Sequence, residues 1–146
     1  MILDLLIFFS VFFLMEAVAW AAHKYVMHGF LWSLHESHHL PRTGAFEKND
    51  WFGAFFSLVA MALFAAGYFI DVRFTAAGLG MTAYGFAYLF LHDILNHKRF
   101  GIHIKPNNRY LRSVLQSHRI HHATQGKDGC VSFGFLVPMR AKRRIF

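Results

Sequence analysis

The sequence predicts an all-α integral membrane protein with three transmembrane helices and a cytosolic, histidine-rich site for two metal ions. Three observations carry this prediction. Of the 146 residues, 55% are hydrophobic and 18% aromatic, well above the composition of a soluble domain. Ten of the eleven histidines stand in four clusters of repeated spacing, and fourteen of the fifteen lysines and arginines fall on one side of the predicted membrane. The length suits one domain, residues 1–146.

Three apolar segments are long enough to cross the hydrocarbon core, which takes about 20 residues of helix. They are residues 2–22, 51–70 and 74–91. The first is expected to be a retained anchor, because no lysine or arginine precedes it as in a secretory signal. The other two form a hairpin around the polar turn 71–73. Their many alanines and glycines favour close helix packing, with a substrate groove as the alternative.

Two single residues restrict this interpretation. Glu16 lies deep in the first span, where a charged side chain facing lipid is costly, so it should face a partner helix or the site itself. Cys130 is the only cysteine, which excludes an intramolecular disulfide and a redox motif.

The distribution of charge predicts the orientation in the membrane. With three spans, the loop 23–50 and all residues from His92 onward lie on the same side. Only Arg73, among the fifteen basic residues, lies on the other. The positive-inside rule makes the histidine side cytosolic and puts the N-terminus outside, as in a multi-pass protein of the cell membrane. The net charge of +7 therefore reflects topology, and nucleic acid is not expected as a partner.

The chain after the third span has no further segment long enough to cross a membrane. Residues 109–122 are predicted to be a basic helix and residues 126–129 a turn. The apolar run 130–137 is only eight residues long, so it either lies at the membrane interface or covers the site as a lid. The basic tail is expected to bind anionic lipid head groups, with docking of an acidic electron donor as the alternative. Its cations are Arg140, Lys142, Arg143 and Arg144.

The spacing of the clustered histidines predicts a metal site. Two clusters have histidines at i, i+3 and i+4, which leave one face of a helix and can share a metal. In the other two the histidines are five apart, about 140° on a regular helix, so each pair straddles the site or lies where the helix is distorted. The clusters are His23 with His28, His35 with His38 and His39, His92 with His97, and His118 with His121 and His122.

Ten imidazoles are too many for one ion, so two ions with open positions for oxygen or water are expected. Imidazole suits iron, zinc, copper and nickel. Carboxylates that hydrogen-bond to liganding imidazoles would fix their orientation. The candidates are Glu36 and Asp93 inside the clusters and, with ordinary solvation as the alternative, Asp50 and Asp128. His103 lies outside the clusters and is interpreted as a surface residue.

The four clusters resemble the histidine boxes of the membrane fatty acid hydroxylase/sterol desaturase superfamily. The boxes read His-Lys-Tyr-Val-Met-His at 23–28, His-Glu-Ser-His-His at 35–39, His-Asp-Ile-Leu-Asn-His at 92–97 and His-Arg-Ile-His-His at 118–122. Further segments resemble the bacterial β-carotene 3-hydroxylases, so that the resemblance covers nearly the whole chain. They are Gly-Ala-Phe-Glu at 44–47 with Asn-Asp at 49–50, Gly-Met-Thr-Ala-Tyr-Gly at 80–85, and Gly-Lys-Asp-Gly-Cys-Val-Ser-Phe-Gly-Phe at 126–135.

This resemblance implies a non-haem di-iron monooxygenase that takes electrons from reduced ferredoxin, activates O2 and hydroxylates a carotenoid drawn from the bilayer. The implied reaction converts β-carotene through β-cryptoxanthin to zeaxanthin, and the ten clustered histidines match the family's iron ligands. The family is usually drawn with four membrane helices, so the resemblance leaves a fourth helix open.

Three other functions are compatible with parts of the pattern. A fatty-acyl or sterol hydroxylase or desaturase of the same superfamily would share the histidine boxes. A membrane haem electron carrier would need only paired histidines across two helices, and its triplets would be surplus. A metal-ion transporter would place its ligands near mid-membrane, whereas these histidines stand at span ends.

Overall fold

The computed structural model describes residues 1–42 and 44–138, and within these ranges it is helical with no strand. In chain order the α-helices are α1 (Ile2–Ala21), α2 (Trp32–His35), α3 (Asp50–Phe69), α4 (Arg73–Tyr88) and α5 (Arg109–His121). Two π-helical segments continue the long helices: the first π segment (Ala22–Phe30) follows α1, and the second (Leu89–Asn96) follows α4. Short 3₁₀ turns cover Glu36–His39 and Arg99–Gly101. The basic tail lies outside the described residues, and its lipid or donor contacts stay a prediction.

Three helices in the described ranges are long and apolar enough to cross a membrane: Ile2–Phe30, Asp50–Phe69 and Arg73–Asn96. They correspond to the three predicted spans, and the first and third extend further because the π segments continue them. Large apolar side chains cover their outer faces: Phe13, Leu58 and Phe69 are 68%, 60% and 79% exposed. Such a surface suits hydrocarbon rather than water. The prediction of an all-α membrane protein is confirmed.

Helix α4 is central, because it packs against both α1 and α3. Two glycines make these contacts close. A Cβ atom at Gly80 would collide with the carbonyl oxygen of Phe8, and one at Gly67 would collide with Thr75. Small residues therefore serve helix packing, as predicted. Others, including Ala60 and Gly85, line a cavity, so the groove alternative also applies.

The π segments explain the histidine pairs that are five residues apart. The backbone N–H of Leu31 donates to the carbonyl of Val26 at 3.0 Å, and that of His97 donates to the carbonyl of His92 at 3.1 Å. These are hydrogen bonds between residues five apart, which mark a wider helix than the α-helix. In such a helix, residues five apart lie nearly one above the other. Both pairs thus lie where the helix is distorted, the second of the two predicted arrangements.

The two remaining sequence predictions about apolar segments are also settled. Glu16 faces protein: its carboxylate accepts hydrogen bonds from α4 and from the segment that follows α5. That segment, the apolar run 130–137, packs over the clustered histidines, and its Phe135 is buried. The lid alternative is therefore correct.

Candidate metal centre

All ten clustered histidines meet at one end of the long helices. They arrive from five elements: the two π segments, α2 with its following 3₁₀ turn, and the C-terminal end of α5. Two groups form, in each of which one ligand atom per residue lies within 4.8 Å of all the others. The first group comprises His23, His28, His35, His39 and His121, and the second comprises His38, His97, His118 and His122. His92 adjoins the second group, with its Nε2 atom 3.0 Å from that of His38.

The two kinds of cluster distribute differently between the groups. The pairs five residues apart stay together: His23 and His28 both belong to the first group, and His97 belongs to the second with His92 beside it. Each triplet is divided between the groups. His38 is in the second group while His35 and His39 are in the first, and His121 is in the first group while His118 and His122 are in the second. This differs from the expectation that a triplet shares one metal. Successive residues of an α-helix are about 100° apart, so a face that carries i, i+3 and i+4 is wide enough to border two sites.

Within the first group the Nε2 atoms approach one another. They lie 3.2 Å apart for His23 and His35, 3.2 Å for His28 and His121, and 3.3 Å for His35 and His39. Nitrogen ligands about 2.1 Å from a shared ion, at neighbouring coordination positions, are themselves about 3.0–3.4 Å apart. The separations in the first group therefore fit histidines that hold a common ion. In the second group, the Nε2 atoms of His97 and His118 lie closer together, at 2.7 Å.

The other ring nitrogen of most of these histidines is already engaged. For seven of them, Nδ1 lies at 2.7–3.1 Å from an oxygen that can only accept, so Nδ1 carries the proton and Nε2 keeps a lone pair. Converging lone pairs repel each other unless a cation lies between them. In the second group, the Nε2 atom of His122 is buried without a hydrogen-bond partner among the described residues. The donor set thus fits a metal centre.

Burial keeps these imidazoles neutral, which is the form that binds a metal. Desolvation lowers the pKa of His35 to about 3 and that of His97 to about 4. It also lowers the pKa of His121 to about 3, and that residue is 0% exposed. Repulsion between neighbouring imidazoles contributes to the lowering of all three pKa values, because like charges repel.

The four candidate carboxylates behave differently. Asp93 accepts a hydrogen bond from Nδ1 of His92 at 2.8 Å, as expected of an orienting group. Asp50 does not contact a histidine in the described ranges, but Arg99 donates to both Asp50 and Asp93, at 2.8 and 3.1 Å. Glu36 is exposed, so the expectation that it orients an imidazole is wrong. The 3₁₀ turn directs it outward while His38 and His39 point inward. Asp128 is also exposed, in the turn after α5.

Several orienting groups were missed from the sequence. Oδ1 of Asn49 accepts from Nδ1 of His35 at 2.7 Å, and Glu47 accepts from Nδ1 of His38 at 3.1 Å. Both residues lie in the segment 44–50 that resembles the β-carotene hydroxylases, and this resemblance was the sequence feature that could have identified them. Backbone carbonyls orient four more histidines, and no side-chain pattern could have found them. They belong to Thr124, Lys127, Val131 and Phe133.

Comparison with known proteins identifies the family. The family model for fatty acid hydroxylases matches residues 8–140. A β-carotene hydroxylase of Pseudescherichia vulneris is 48% identical over 122 residues, which cover 84% of this chain and 69% of that protein. The chain belongs to the fatty acid hydroxylase family. The resemblance read from the histidine boxes is confirmed.

Other relatives of this chain carry similar names. A β-carotene hydroxylase of Paracoccus sp. (strain N81106 / MBIC 01143) is 42% identical over 134 residues, 91% of this chain and 83% of the relative. A chloroplastic β-carotene 3-hydroxylase 2 of Arabidopsis thaliana is 43% identical over 129 residues, 85% of this chain but only 42% of that longer protein. No solved structure matches the chain. The family and the three apolar helices together make it a membrane-associated hydroxylase.

An apolar cavity of about 410 Å³ adjoins the histidine groups of this hydroxylase, between α1, α3 and α4. At its inner end stand the rings of Tyr88 and Phe135. Tyr88 stacks on His92 with the ring centroids 4.5 Å apart, and Phe135 lies 5.1 Å from His23 and 5.4 Å from His92. The cavity therefore ends on two rings that touch a histidine of each group.

We expect Asn49→Ala to weaken metal binding by about 10- to 100-fold, because His35 would lose the acceptor that orients it. Metal content at limiting metal concentration is the measurement. Asn107→Ala is the matched control, since Asn107 is exposed and its side-chain oxygen accepts from its neighbour Asn108, away from the histidines. Equal metal content in both variants would contradict the assigned role of Asn49.

Proposed function

We propose that this chain is a β-carotene 3-hydroxylase. It converts β-carotene through β-cryptoxanthin to zeaxanthin, with O2 as co-substrate, two iron ions as cofactor and reduced ferredoxin as electron donor. One observation carries the proposal: an apolar cavity between the three apolar helices ends beside both histidine groups. The names of the relatives at 42–48% identity point to the same substrate.

The ten clustered histidines would hold the two ions, five to each group, with His92 completing the second. When bound, iron supplies the oxygen activation and electron transfer that hydroxylation of an unactivated C–H bond requires. The remaining tasks fall to the protein's own side chains. They bind the ring, place one carbon toward the metal centre and keep water away from it.

The shape of the cavity suits one end of a long hydrocarbon. Its α3 lining extends from Phe52 to Phe64, about 18 Å along the helix axis. Met61 and Phe86 border it and are also 58% and 67% exposed on the outer surface, so the cavity opens toward lipid. A carotene dissolved in the bilayer can therefore enter sideways and lie along the helices with its ring at the inner end.

The cavity lacks groups that would recognise a polar head. Four residues of its lining carry hydroxyls, and all four hydroxyls have partners within the protein. Ser57 donates to the carbonyl of Gly53, Thr82 to the carbonyl of Gly78 and Tyr84 to the carboxylate of Glu16, each at 2.8 Å. The hydroxyl of Tyr88 is hydrogen-bonded to the side chain of Asn49. Charged side chains are absent from the lining within the described residues. This favours a carotene over the runner-up substrates, a fatty-acyl conjugate or a sterol, which carry polar groups.

Inside the cell, the metal centre would face the cytosol. The end of the first span near the histidines carries membrane-interface features, since Lys24 Nζ lies 5.1 Å from the ring of Trp20 and 5.0 Å from that of Tyr25. The basic residues concentrate at the same end, as the positive-inside rule requires of a cytosolic face. That face is also where a soluble ferredoxin could reach the centre.

The orientation leads to a prediction about fusion proteins. A reporter placed after Phe146 should be cytosolic, and one placed in the turn 71–73 should lie outside, because Arg73 is the single basic residue on that side. Reporters active only in one compartment measure this. A cytosolic turn would contradict the three-span orientation.

Expression in cells that accumulate β-carotene tests the proposed activity. Under labelled dioxygen, label should appear on C3 of both rings, first in the monohydroxylated and then in the dihydroxylated product. A 4-keto product, or hydroxylated acyl chains without any carotenoid product, would overturn the proposal.

A further inference from the structure

Glu16 is a carboxylate within the first membrane span that the proposed chemistry leaves unused. Its surroundings are unusual for such a position. Oε1 accepts from the backbone N–H groups of Phe135, Leu136 and Val137 at 2.9–3.0 Å, and Oε2 accepts from Leu136 at 3.0 Å. Oε2 also accepts from the hydroxyl of Tyr84 at 2.8 Å. A single side chain thus satisfies three consecutive backbone donors that lipid could not.

The chain leading to these donors is built to fit the carboxylate. A Cβ atom at Gly134 would lie 3.0 Å from Oε1 of Glu16 and 2.9 Å from the carbonyl oxygen of Val137, tighter than side chains normally allow. Glycine therefore permits the backbone to wrap around Glu16. From the other side, Tyr110 donates to the carbonyl of Leu136 at 2.8 Å.

The segment that Glu16 holds connects directly to both histidine groups. Carbonyl oxygens of Val131 and Phe133 accept from His121 and His23, at 3.1 and 3.0 Å. Two residues further on, Phe135 is 7% exposed and forms the wall between the cavity and the centre. Its ring is nearly parallel to that of His23, at an interplanar angle of 14°. The position of Phe135 thus limits how a ring in the cavity can approach.

We propose that Glu16 is a positioning residue that selects the ring carbon to be hydroxylated, because it fixes Phe135 through the N–H groups of residues 135–137. This inference rests on the proposed function. C3 and the allylic C4 of a β-ring are neighbours, and the C4–H bond is the weaker one. Hydroxylation at C3 therefore needs a wall that excludes C4, and a displacement of about 1 Å is enough to change the outcome.

Two substitutions, Glu16→Leu and Glu16→Gln, distinguish the effect of losing the hydrogen-bond acceptors from the effect of losing the negative charge. Leucine removes every acceptor while making α1 more apolar, so membrane insertion does not suffer. Glutamine keeps one oxygen for the three N–H groups, and its amide N–H₂ can donate to the hydroxyl of Tyr84. Asp4→Leu is the matched control, since Asp4 lies in the same helix and pairs with the N-terminal amine at 2.7 Å, away from the centre.

The experiment compares carotenoid products and metal content in cells that accumulate β-carotene. Glu16→Leu should lower total hydroxylation about tenfold, put part of the oxygen on C4 and leave metal content per chain unchanged. Glu16→Gln and Asp4→Leu should resemble the parent protein. Phe135→Leu should show the same shift toward C4 as Glu16→Leu.

C3 product alone from Glu16→Leu would overturn the inference, and so would an activity loss that a loss of metal fully accounts for. If the Glu16→Leu protein does not accumulate in the membrane, Phe135→Leu decides, and C3 product alone from it has the same consequence. Absence of hydroxylated carotenoid from the parent protein would instead contradict the proposed function.

Discussion

His121→Ala is expected to abolish hydroxylation, with a fall of more than about a hundredfold, and to remove metal from the first histidine group. His121 is the most buried of the ten clustered histidines, and its Nε2 atom lies 3.2 Å from that of His28. Its loss would leave an open coordination position in a dry site. Loss of an orienting partner alone typically costs 10- to 100-fold, so loss of the ligand should cost more.

The division of the triplets makes this prediction specific to one ion. His35→Ala and His121→Ala should each lower the metal content of the first group, although the two residues come from different triplets. His38→Ala and His118→Ala should lower that of the second. Metal per chain, measured on purified protein, should fall toward one equivalent in both cases.

His103→Ala is the control, since His103 is exposed and lies outside both groups. It should retain metal and turnover. Wild-type turnover in a triplet variant together with loss of turnover in the His103 variant would show that the ligand assignment is wrong.

Gly85→Leu is expected to lower β-carotene turnover more than tenfold by filling the cavity, because the binding site would no longer hold the ring in reach of the centre. Gly85 lines the cavity, and a Cβ atom there would meet no atom within 4 Å. The added side chain can therefore enter the cavity without a backbone collision. Metal content should not change, since the histidines are untouched.

Gly126→Leu is the matched control. It makes the same substitution at a glycine whose Cβ atom would also meet nothing within 4 Å, in an exposed turn away from the cavity. Equal turnover in the two leucine variants would contradict the assignment of this cavity to the substrate. A parallel loss of metal in Gly85→Leu would point instead to a disturbed fold.

Most of the fold could be predicted because it depends on local properties. Hydropathy alone located the three long helices, since about 20 apolar residues suffice to cross a bilayer. The ends of these helices were harder to predict from the sequence. After Ala21 and after Tyr88 the first and third spans continue as π-helices. The hydropathy pattern that predicts an α-helix does not show where it changes into the wider π-helix. The five-residue spacing of two histidine pairs was the one available sign of it.

The cluster of histidines was predictable in its members and not in its arrangement. Residue type and repeated spacing were enough to select the ten histidines, because neutral imidazole is the commonest metal ligand among side chains. Which of them share a group depends on how α2, α5 and the two π segments meet. That packing places the members of each triplet in different groups, which cannot be predicted from the spacing of histidines along a single helix.

The sequence by itself determined the class of protein, the three spans, the set of converging histidines and the need for Glu16 to face protein, because each follows from composition or spacing. Only the tertiary structure decided what those groups contact. In the folded chain, Nδ1 of His92 donates to Asp93, and Nδ1 of His23 donates to the carbonyl of Phe133, which is distant in sequence. Glu36, in contrast, is exposed. The tertiary structure also joined Glu16 to the backbone beside Phe135. Backbone donors and acceptors carry no signature in residue identity, so their partners appear only when distant segments pack together.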